Sequence, residues 1–483
     1  MQGLKMAFEQ YDQFDGVGLA ELVKTGEVSA REVIDEAIRR AEKLNPELNF
    51  LAHEAFDVAR AAADSPQLPN GPLKGVPWLV KELASSWEGQ PFTNSVPYLK
   101  DLIAPLDSEI LRRLKAAGMI PFGKSTSPEQ GWCLATESSL HGVTRSPWDS
   151  ERTPGGSSGG SAVAVATRVT PLADASDGGG SIRVPAANCG LVGLKPARGR
   201  ITLQPLGVDF WYGGAIIFGL SRSVRDTALL LDVLHGGLPG EPYRQPNPPH
   251  SYSEEARSEP GNLRIAMVTE TPDHGTPVDP QIVAAVEQTG RLLESLGHHV
   301  EPQPVPYEFW PLYKNYTALI AAQTTAFFDV MAGLVGRPAQ AGDMANLYWT
   351  MIEKGRGFSA ADHSNQIEAT RQSCCAMLAR MAPFDAWMMP TLPTLPRAHG
   401  YYDLGLDVET YDDSLMGPDC CFTAPFNASG SPAISLPLGW ATEGWPIGVQ
   451  FVGRDGDEAT LIRLAAQLEV AQPWADKRPG ICS

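Results

Sequence analysis

The chain has 483 residues, of which 43% are hydrophobic and 19% are charged, so it can bury a large core. Its 38 basic and 56 acidic residues give a net charge of −18. This balance argues against a nucleic-acid partner, because duplex binding depends on Lys and Arg side chains that neutralise phosphates.

Helix and strand signals alternate along the first half of the chain. Ser29 and Glu32 form a capping-box signature, and apolar residues follow them at helical spacing. Ser108 opens a second helix that stops at Gly118. The patterns predict strands over 76–80, 119–122 and 169–176, and further helices over 161–167 and 225–234.

The second half begins with residues 236–261, which are rich in Pro, Gly and acidic residues and predict a surface loop or a subdomain seam. Residues 309–381 are predicted to be largely helical and to cap a site. Alternation of strands and helices elsewhere favours one α/β domain over residues 1–483, with a large mixed sheet covered by helices on both faces. Beyond the loop we expect strands over 263–268, near Val300, and over 386–389, 433–438 and 448–452, and helices over 280–296 and 458–470.

Three observations favour a cytoplasmic protein with no membrane partner. The seven cysteines make an odd count without framework or zinc spacing, which indicates reduced thiols. Residues 1–10 carry charge where a signal peptide needs a long apolar core. The most apolar long segment, 316–336, contains Gln323 and Asp329 and predicts a buried helix rather than a membrane span.

Two glycine-rich segments each contain serines, 153–161 (TPGGSSGGS) and 177–183 (DGGGSIR), and Ser157 and Ser181 lie 24 residues apart. Glycine at this density is costly in backbone entropy, so a chain uses it where positive φ or close backbone approach is required. Lys81 lies upstream, at the end of 75–81 (GVPWLVK). Serines at both bends suggest a reactive site.

The residues alone leave several interpretations open. Gly-x-Ser-x-Gly occurs around both Ser157 and Ser158 and matches the nucleophile elbow of an α/β-hydrolase esterase. Tight turns without chemistry would also explain the glycines, and a phosphate-binding loop is disfavoured because Gly-Lys-Ser/Thr is missing after the turn. The elbow would need a downstream acid and histidine; the histidines available to it are His235, His250, His274, His298, His299, His363 and His399.

Further motifs flank the two serines: 123–129 (GKSTSPE), 136–138 (TES), 152–161 (RTPGGSSGGS), 185–196 (PAANCGLVGLKP), 425–427 (PFN), 430–433 (GSPA) and 444–450 (GWPIGVQ). Together with Lys81 upstream, they resemble the amidase signature family of serine hydrolases. The resemblance extends over about residues 17–475, and residues 237–400 are its least typical part. It implies an α/β amidase signature fold built on a large mixed sheet.

The resemblance implies a Ser–cis-Ser–Lys catalytic group that needs no histidine. Ser181 would be the nucleophile, Ser157 the bridging serine after a cis peptide bond, and Lys81 the base. A serine hydroxyl is a poor nucleophile until a neighbouring group takes its proton. Lysine can take that proton only when it is neutral, and burial favours the neutral form.

Supporting roles follow from the same resemblance. Backbone N–H groups around Gly178, Gly179, Gly180 and Ser181 would form an oxyanion hole, and Trp132 would face the substrate. Asp177 and Arg183 would brace the turn, and Ser158 would hydrogen-bond Ser157. Other aromatic residues that could line an apolar pocket are Phe210, Trp211, Tyr212, Trp310, Tyr313, Tyr316 and Trp349.

The implied reaction is hydrolysis of a C–N bond in a small, hydrophobic amide through an acyl-enzyme, with no metal or organic cofactor. Aryl amides, cyclic oligoamides, esters and carbamates are the expected substrate classes, and the resemblance leaves a homodimer open. The glutaminase subunit of a tRNA-dependent amidotransferase has the same signature and is the main alternative. An esterase of the α/β-hydrolase type and a catalytically silent binding protein are further alternatives.

Overall fold

The computed structural model describes residues 8, 10–272 and 276–482; His274 and most of residues 1–10 lie outside them. The described chain contains 13 strands. They are β1 (Leu51–Glu54), β2 (Pro77–Lys81), β3 (Ile120–Ser125), β4 (Glu137–Ser138), β5 (Gly142–Val143), β6 (Leu172–Asp177), β7 (Val192–Lys195), β8 (Ile216–Ser221), β9 (Arg264–Met267), β10 (His299–Pro302), β11 (Ala386–Pro390), β12 (Ala433–Trp440) and β13 (Pro446–Gly453).

In the described part of the chain, all strands except the β4–β5 hairpin join one 11-stranded sheet. Its order is β1-β3-β2-β6-β8-β7-β12-β13-β11-β9-β10. Strand β2 runs parallel to both β3 and β6, whereas β6–β8, β7–β12 and β12–β13 are antiparallel. The predicted large mixed sheet is therefore confirmed.

Helices cover this sheet, and most begin where the sequence places a capping residue. The helices are α1 (Gly16–Thr25), α2 (Ala30–Leu48), α3 (Phe56–Ala63), α4 (Glu109–Ala116), α5 (Gly159–Ala166), α6 (Arg183–Cys189), α7 (Val224–Leu234), α8 (Tyr252–Glu255), α9 (Pro280–Ser295), α10 (Phe309–Val335), α11 (Asn346–Arg356), α12 (Ala360–Met381), α13 (Val408–Tyr411), α14 (Gly417–Asp419), α15 (Ala424–Ser429) and α16 (Glu458–Ala471).

The elements predicted from periodicity are present, with ends that differ by a few residues. Strands β1, β4, β5, β7 and β8 were not predicted, and β4 and β5 have only two residues each. Strand β1 has only four residues and β7 contains a glycine, so neither provides a run long enough for a period to show. Strand β8 is fully buried, and such a strand lacks the alternation that marks a half-buried one.

Two large hydrophobic clusters make up most of the core. One lies along the sheet and includes Ala175 of β6 and Ile182 after it. The other surrounds α10, α11 and α12, and includes Trp132 and Met416. Residues 178–181 connect β6 to α6 and lie between the two clusters, because Ala175 and Ile182 of the first cluster flank this turn and Trp132 and Met416 of the second lie beside Gly179.

The predicted helical region 309–381 consists of α10, α11 and α12, and α10 packs against the other two. Within the described chain, α10 is the single helix long and apolar enough to cross a membrane by length and composition. Its Tyr316 hydroxyl donates to the Gly178 carbonyl oxygen at 2.8 Å. These contacts make α10 part of the protein interior on one side.

Residues 236–261 run mainly as a loop that contains only the short helix α8. The sheet continues across this segment, because β8 precedes it and β9 follows it in the same sheet.

The capping box at the start of α2 gives a first prediction. Both of its hydrogen bonds are present, since the Ser29 side chain accepts from the Glu32 N–H and the Glu32 carboxylate accepts from the Ser29 N–H. Replacing Ser29 by Ala should lower the free energy of unfolding by about 1 kcal/mol in denaturant titrations.

Ser295→Ala is the matched control, because among the described residues that hydroxyl bonds only the Leu292 carbonyl within its own helix. We expect it to change stability by less than about 0.5 kcal/mol. Equal effects of the two substitutions would contradict the capping role of Ser29.

Candidate active site

Lys81 ends strand β2 and is fully buried. Its Nζ lies 2.7 Å from Ser157 Oγ, 2.8 Å from Ser158 Oγ and 2.8 Å from Ser176 Oγ. Burial lowers the pKa of Lys81 to about 7, although the nearby carboxylates of Asp174 and Asp177 oppose this shift. A substantial fraction of the lysine is therefore neutral near pH 7 and able to accept a proton.

Ser157 follows a cis peptide bond to Gly156, as the resemblance implies. Gly156 has no room for a side chain, because a Cβ there would collide with the carbonyl oxygens of Ala135 and Cys133. This glycine lets the backbone of the first serine segment pass close to residues 133–135. Ser157 is thereby placed directly beside the lysine, just before α5.

Ser158 contacts Lys81 rather than Ser157, and this corrects the expected role of Ser158. Its Oγ accepts from Lys81 Nζ and from the Ser176 N–H at 3.3 Å. These bonds connect the start of α5 to the end of β6. Ser158 and Ser176 therefore position the lysine amine, which in turn meets Ser157.

The turn 178–181 connects β6 to α6 and presents Ser181, which is 5% exposed. The Gly178 carbonyl accepts from Tyr316, and the Gly179 carbonyl accepts from Thr423 Oγ1 at 2.6 Å. In a trans peptide the N–H points away from the C=O. Fixing these two carbonyls therefore orients the N–H groups of Gly179 and Gly180 on the opposite side.

The orientation of the turn corrects the expected set of oxyanion donors. The Gly180 N–H already donates to Asp177 Oδ1 at 2.7 Å, so it is not free to serve as an oxyanion donor. Gly180 has another function, because its φ of +134° favours glycine and a Cβ there would lie 2.6 Å from Thr423 Oγ1.

Asp177 and Arg183 form a fully buried, two-point ion pair across this turn. Arg183 Nε and Nη2 donate to Oδ2 and Oδ1 of Asp177, both at 2.9 Å. The Arg183 guanidinium holds the pKa of Asp177 well below its usual range, although burial alone would raise it. The expected bracing contact is therefore present.

Two residues that the sequence analysis did not assign complete this network. Asn427 Nδ2 donates to Asp177 Oδ1 at 2.9 Å, and Arg183 Nη1 donates to Gln450 Oε1 at 2.8 Å. Both residues lie in quoted motifs, 425–427 and 444–450, which was the available signal. Ser176, Asp174 and Thr423 were also missed, and they stand in segments without a distinctive pattern.

Two tryptophans flank the Gly178–Gly179 backbone. Trp132 is 1% exposed, and its Cζ3 would lie 3.3 Å from a Cβ on Gly179. A Cβ on Gly178 would collide with the Trp211 ring, which meets Trp132 edge-on at 5.6 Å between centroids. Trp132 is thus beside the turn, as expected.

The other aromatic candidates occupy different places. Tyr316 reaches the turn, and Tyr313 stacks on Trp132 with centroids 6.4 Å apart. Trp310 packs on Phe309 and Tyr313, and Tyr212 bonds His363. Phe210 packs over Gly207, and Trp349 lies near Arg356. The structure therefore brings only part of the predicted aromatic set to the turn.

The histidine-dependent alternative loses its support in the described residues. There, His298 bonds the Leu263 N–H and Gln467, and His363 bonds Tyr212. Neither these nor any other described histidine is hydrogen-bonded to Ser157, Ser158 or Ser181. His274 lies outside the described residues.

One group among the described residues has metal-ligand chemistry. His53, Glu82 and His141 offer ligand atoms within 4.8 Å of one another. Glu82 is already paired with Lys124 Nζ at 2.8 Å and accepts the Thr93 N–H at 3.0 Å. The lysine ammonium beside this carboxylate opposes a second cation, so the group does not form a convincing metal centre.

Comparisons with known proteins cover almost the whole chain. The sequence model of the family described as Amidase matches residues 32–462. The 6-aminohexanoate-cyclic-dimer hydrolase of Paenarthrobacter ureafaciens is 36% identical over 97% of this chain and 96% of its own length.

Two solved structures are similar throughout. A 6-aminohexanoate cyclic dimer hydrolase complexed with substrate has a TM-score of 0.93 at 33% identity, covering 98% of this chain and 100% of its own. A bacterial aryl acylamidase of the amidase signature family has a TM-score of 0.87 at 27% identity, covering 96% and 97%.

The lowered pKa of Lys81 predicts the pH dependence of catalysis. Below pH 7 the amine is protonated and cannot accept a proton, so kcat/KM should fall about tenfold per pH unit below pH 6. Above pH 8, kcat/KM should no longer change with pH. Measuring kcat/KM for an amide from pH 5 to 9 tests this, and a flat profile would contradict it.

The Lys81→Met variant is the control, and the pH dependence of its stability tests the same lowered pKa. The folded pKa of about 7 lies below the ordinary value of 10.5, so the unfolded chain binds more protons between these pH values. Stability should therefore rise with pH across this window, and Lys81→Met should remove that contribution to the slope. It should also abolish the pH-dependent activity.

The buried Asp177–Arg183 pair predicts a large effect on stability. Arg183→Met leaves the Asp177 carboxylate buried without its cation, which should cost about 3–5 kcal/mol of unfolding free energy in denaturant titrations. Arg225→Ala is the control, because its ion pair with Asp15 has a 60% exposed arginine. The control should cost less than about 1 kcal/mol; similar losses would refute the structural importance of the buried pair.

Proposed function

Because this chain belongs to the amidase family and is a hydrolase of C–N bonds, we propose that Ser181 attacks small, hydrophobic amides, with cyclic oligoamides as the substrate class. The observation that carries the proposal is the fully buried Lys81 amine, 2.7 Å from the cis-Ser157 hydroxyl. Burial among hydroxyls gives the fold a base at neutral pH without a histidine.

The first half of the reaction forms the acyl-enzyme. Ser181 Oγ bonds to the carbonyl carbon while its proton passes to Ser157, whose own proton passes to neutral Lys81. The carbonyl oxygen becomes an oxyanion, stabilised by the backbone N–H groups of Gly179 and Ser181. Collapse of this intermediate breaks the C–N bond, and the leaving nitrogen takes the proton back through Ser157.

Water completes the cycle at the same groups. Lys81 is neutral again after the amine leaves, so it accepts a proton from water through Ser157 as the water oxygen attacks the acyl carbon. The second intermediate releases the carboxylic acid, and the proton returns to Ser181. The chain's own residues thus account for every proton transfer.

The substrate class is supported by relatives and by the turn's surroundings. A relative 36% identical over nearly the entire chain is named as a hydrolase of a cyclic amide dimer. Trp132 and Trp211 flank the Gly178–Gly179 backbone, which suits an apolar acyl group. Aryl amides, esters and carbamates place a carbonyl at the same point and are secondary candidates.

The wider setting of the enzyme is part of the proposal. The continuous sheet supports one domain over residues 1–483, with 309–381 as a cap beside the turn. The cysteines in the described chain are free thiols, which supports a reducing, cytoplasmic location.

Covalent labelling tests the nucleophile. A fluorophosphonate should form one adduct, located on Ser181 by peptide mass spectrometry, and Lys81→Ala should abolish it. Ser181→Ala should lower hydrolysis of the cyclic dimer of 6-aminohexanoate by about 1000-fold or more. Ser295→Ala, on a distant helix, should label and react normally.

Other labelling outcomes each favour a different interpretation. An adduct on Ser157 or Ser158 would support the nucleophile elbow. Labelling of Ser181 without amide hydrolysis, restored only with partner subunits, would support the amidotransferase alternative. An unlabelled protein would indicate either a silent fold or a subunit that needs its partners for activity.

A further inference from the structure

Behind Trp132 lies a buried carboxylate that the catalytic proposal does not use. Asp412 is 1% exposed, and its Oδ1 accepts from Trp132 Nε1 at 2.9 Å. The Tyr313 hydroxyl donates to the same oxygen at 3.2 Å. Two buried donors from separate segments therefore converge on one oxygen of one carboxylate.

Burying the Asp412 carboxylate at this place costs folding free energy. Its second oxygen, Oδ2, is buried and has no hydrogen-bond partner in the described structure, and an unsatisfied buried acceptor costs stability. Burial raises the pKa of Asp412 to about 6, while the Lys354 and Lys314 ammonium groups, Trp132 and Tyr313 oppose the rise. A leucine of similar size would avoid these costs, so packing alone does not explain an acid here.

The backbone around Asp412 is also unusual. Residues Asp412–Met416 form a π-helical turn, a rare conformation that occurs frequently at functional sites. This turn brings two side chains to neighbouring places. Asp412 reaches the indole N–H of Trp132, while Met416 Cε would lie 3.8 Å from a Cβ on Gly179.

The indole connects this carboxylate to the reaction site. Its N–H is held by Asp412, and its opposite edge lies against Gly179, where a Cβ would be 3.3 Å from Cζ3. Tyr313 stacks on one face and Trp211 meets the ring edge-on. Stacking restrains the plane of the ring, and the N–H bond to Asp412 adds a directional restraint on its rotation within that plane.

We propose that Asp412 is a positioning residue for substrate specificity: it fixes the Trp132 indole beside Gly179, so that the indole edge bounds the site for the acyl group. This inference rests on the proposed function of Ser181 and adds a determinant of which amides fit. A charge-assisted hydrogen bond holds the ring more firmly than a neutral one. Asp412 acts through Trp132 and takes no part in the proton transfers.

The test compares Asp412→Leu, Asp412→Asn and Asp413→Asn in the full-length protein. Asp412→Leu removes the acceptor, so kcat/KM for the cyclic dimer of 6-aminohexanoate should fall about 10- to 100-fold, mainly through KM. Asp412→Asn retains a carbonyl acceptor and should restore activity to within about threefold. Asp413→Asn is the matched control: its side chain is 54% exposed and pairs with Lys314, and the kinetics should not change.

Two further measurements separate positioning from a merely structural role. The rate of Ser181 labelling by a small fluorophosphonate should change less than about threefold in Asp412→Leu, because this probe does not extend to the indole. In a Trp132→Phe background, which lacks the N–H, Asp412→Leu should add less than about threefold to the loss.

Failure of the positioning role of Asp412 can be distinguished from failure of the proposed function. A wild-type protein that labels at Ser181 yet hydrolyses neither the cyclic dimer nor an aryl amide would refute the substrate class. A wild-type amidase whose Asp412→Leu variant loses labelling and amide hydrolysis by the same factor would refute the positioning role. Additive losses in the Trp132→Phe background would also refute it.

Discussion

The buried Lys81 amine is the constraint on which the active site depends. An ammonium ion is poorly solvated in a protein interior, so burial favours the neutral base. Three serine hydroxyls, from Ser157, Ser158 and Ser176, lie within hydrogen-bond distance of Nζ. Hydroxyls both donate and accept, and they can therefore satisfy the amine in either protonation state. A carboxylate in direct contact would instead stabilise the ammonium and remove the base.

The neighbouring acidic residues are arranged so that their carboxylates bond groups other than the Lys81 amine. Asp174 accepts the backbone N–H of Lys81 at 3.0 Å, away from the amine, and burial raises the pKa of this carboxyl to about 6. Glu82 follows Lys81 in sequence but pairs with Lys124 at 2.8 Å. Asp177 forms an ion pair with Arg183 at 2.9 Å. Each of these carboxylates therefore accepts from a donor other than the Lys81 amine.

The reactive turn is held from both hydrophobic clusters. Asp177 and Arg183 fix its base from the sheet side, whereas Tyr316 and Thr423 fix its carbonyl groups from the helical side. This arrangement fixes the orientation of the backbone N–H groups in the absence of a substrate, as the proposed stabilisation of an oxyanion requires. The position of the turn between two separately packed clusters also explains why residues far apart in sequence, such as 177, 316 and 423, converge there.

The sequence by itself determined the alternating elements, the mixed sheet and the family, because capping residues, apolar periods and glycine-rich motifs are local signals. It also singled out Lys81, Ser157 and Ser181, whose spacing in those motifs is distinctive. Only the tertiary structure decided what Ser158 and Gly180 contact, and it brought Ser176, Thr423 and Asp412 to the site. Single serines, threonines and acids carry no local pattern, and their roles arise from contacts between segments that meet only when the sheet and the helical region pack together. The aromatic residues show the same limit: the resemblance pointed to Trp132, but only packing showed that Trp211 is the second tryptophan that flanks the turn.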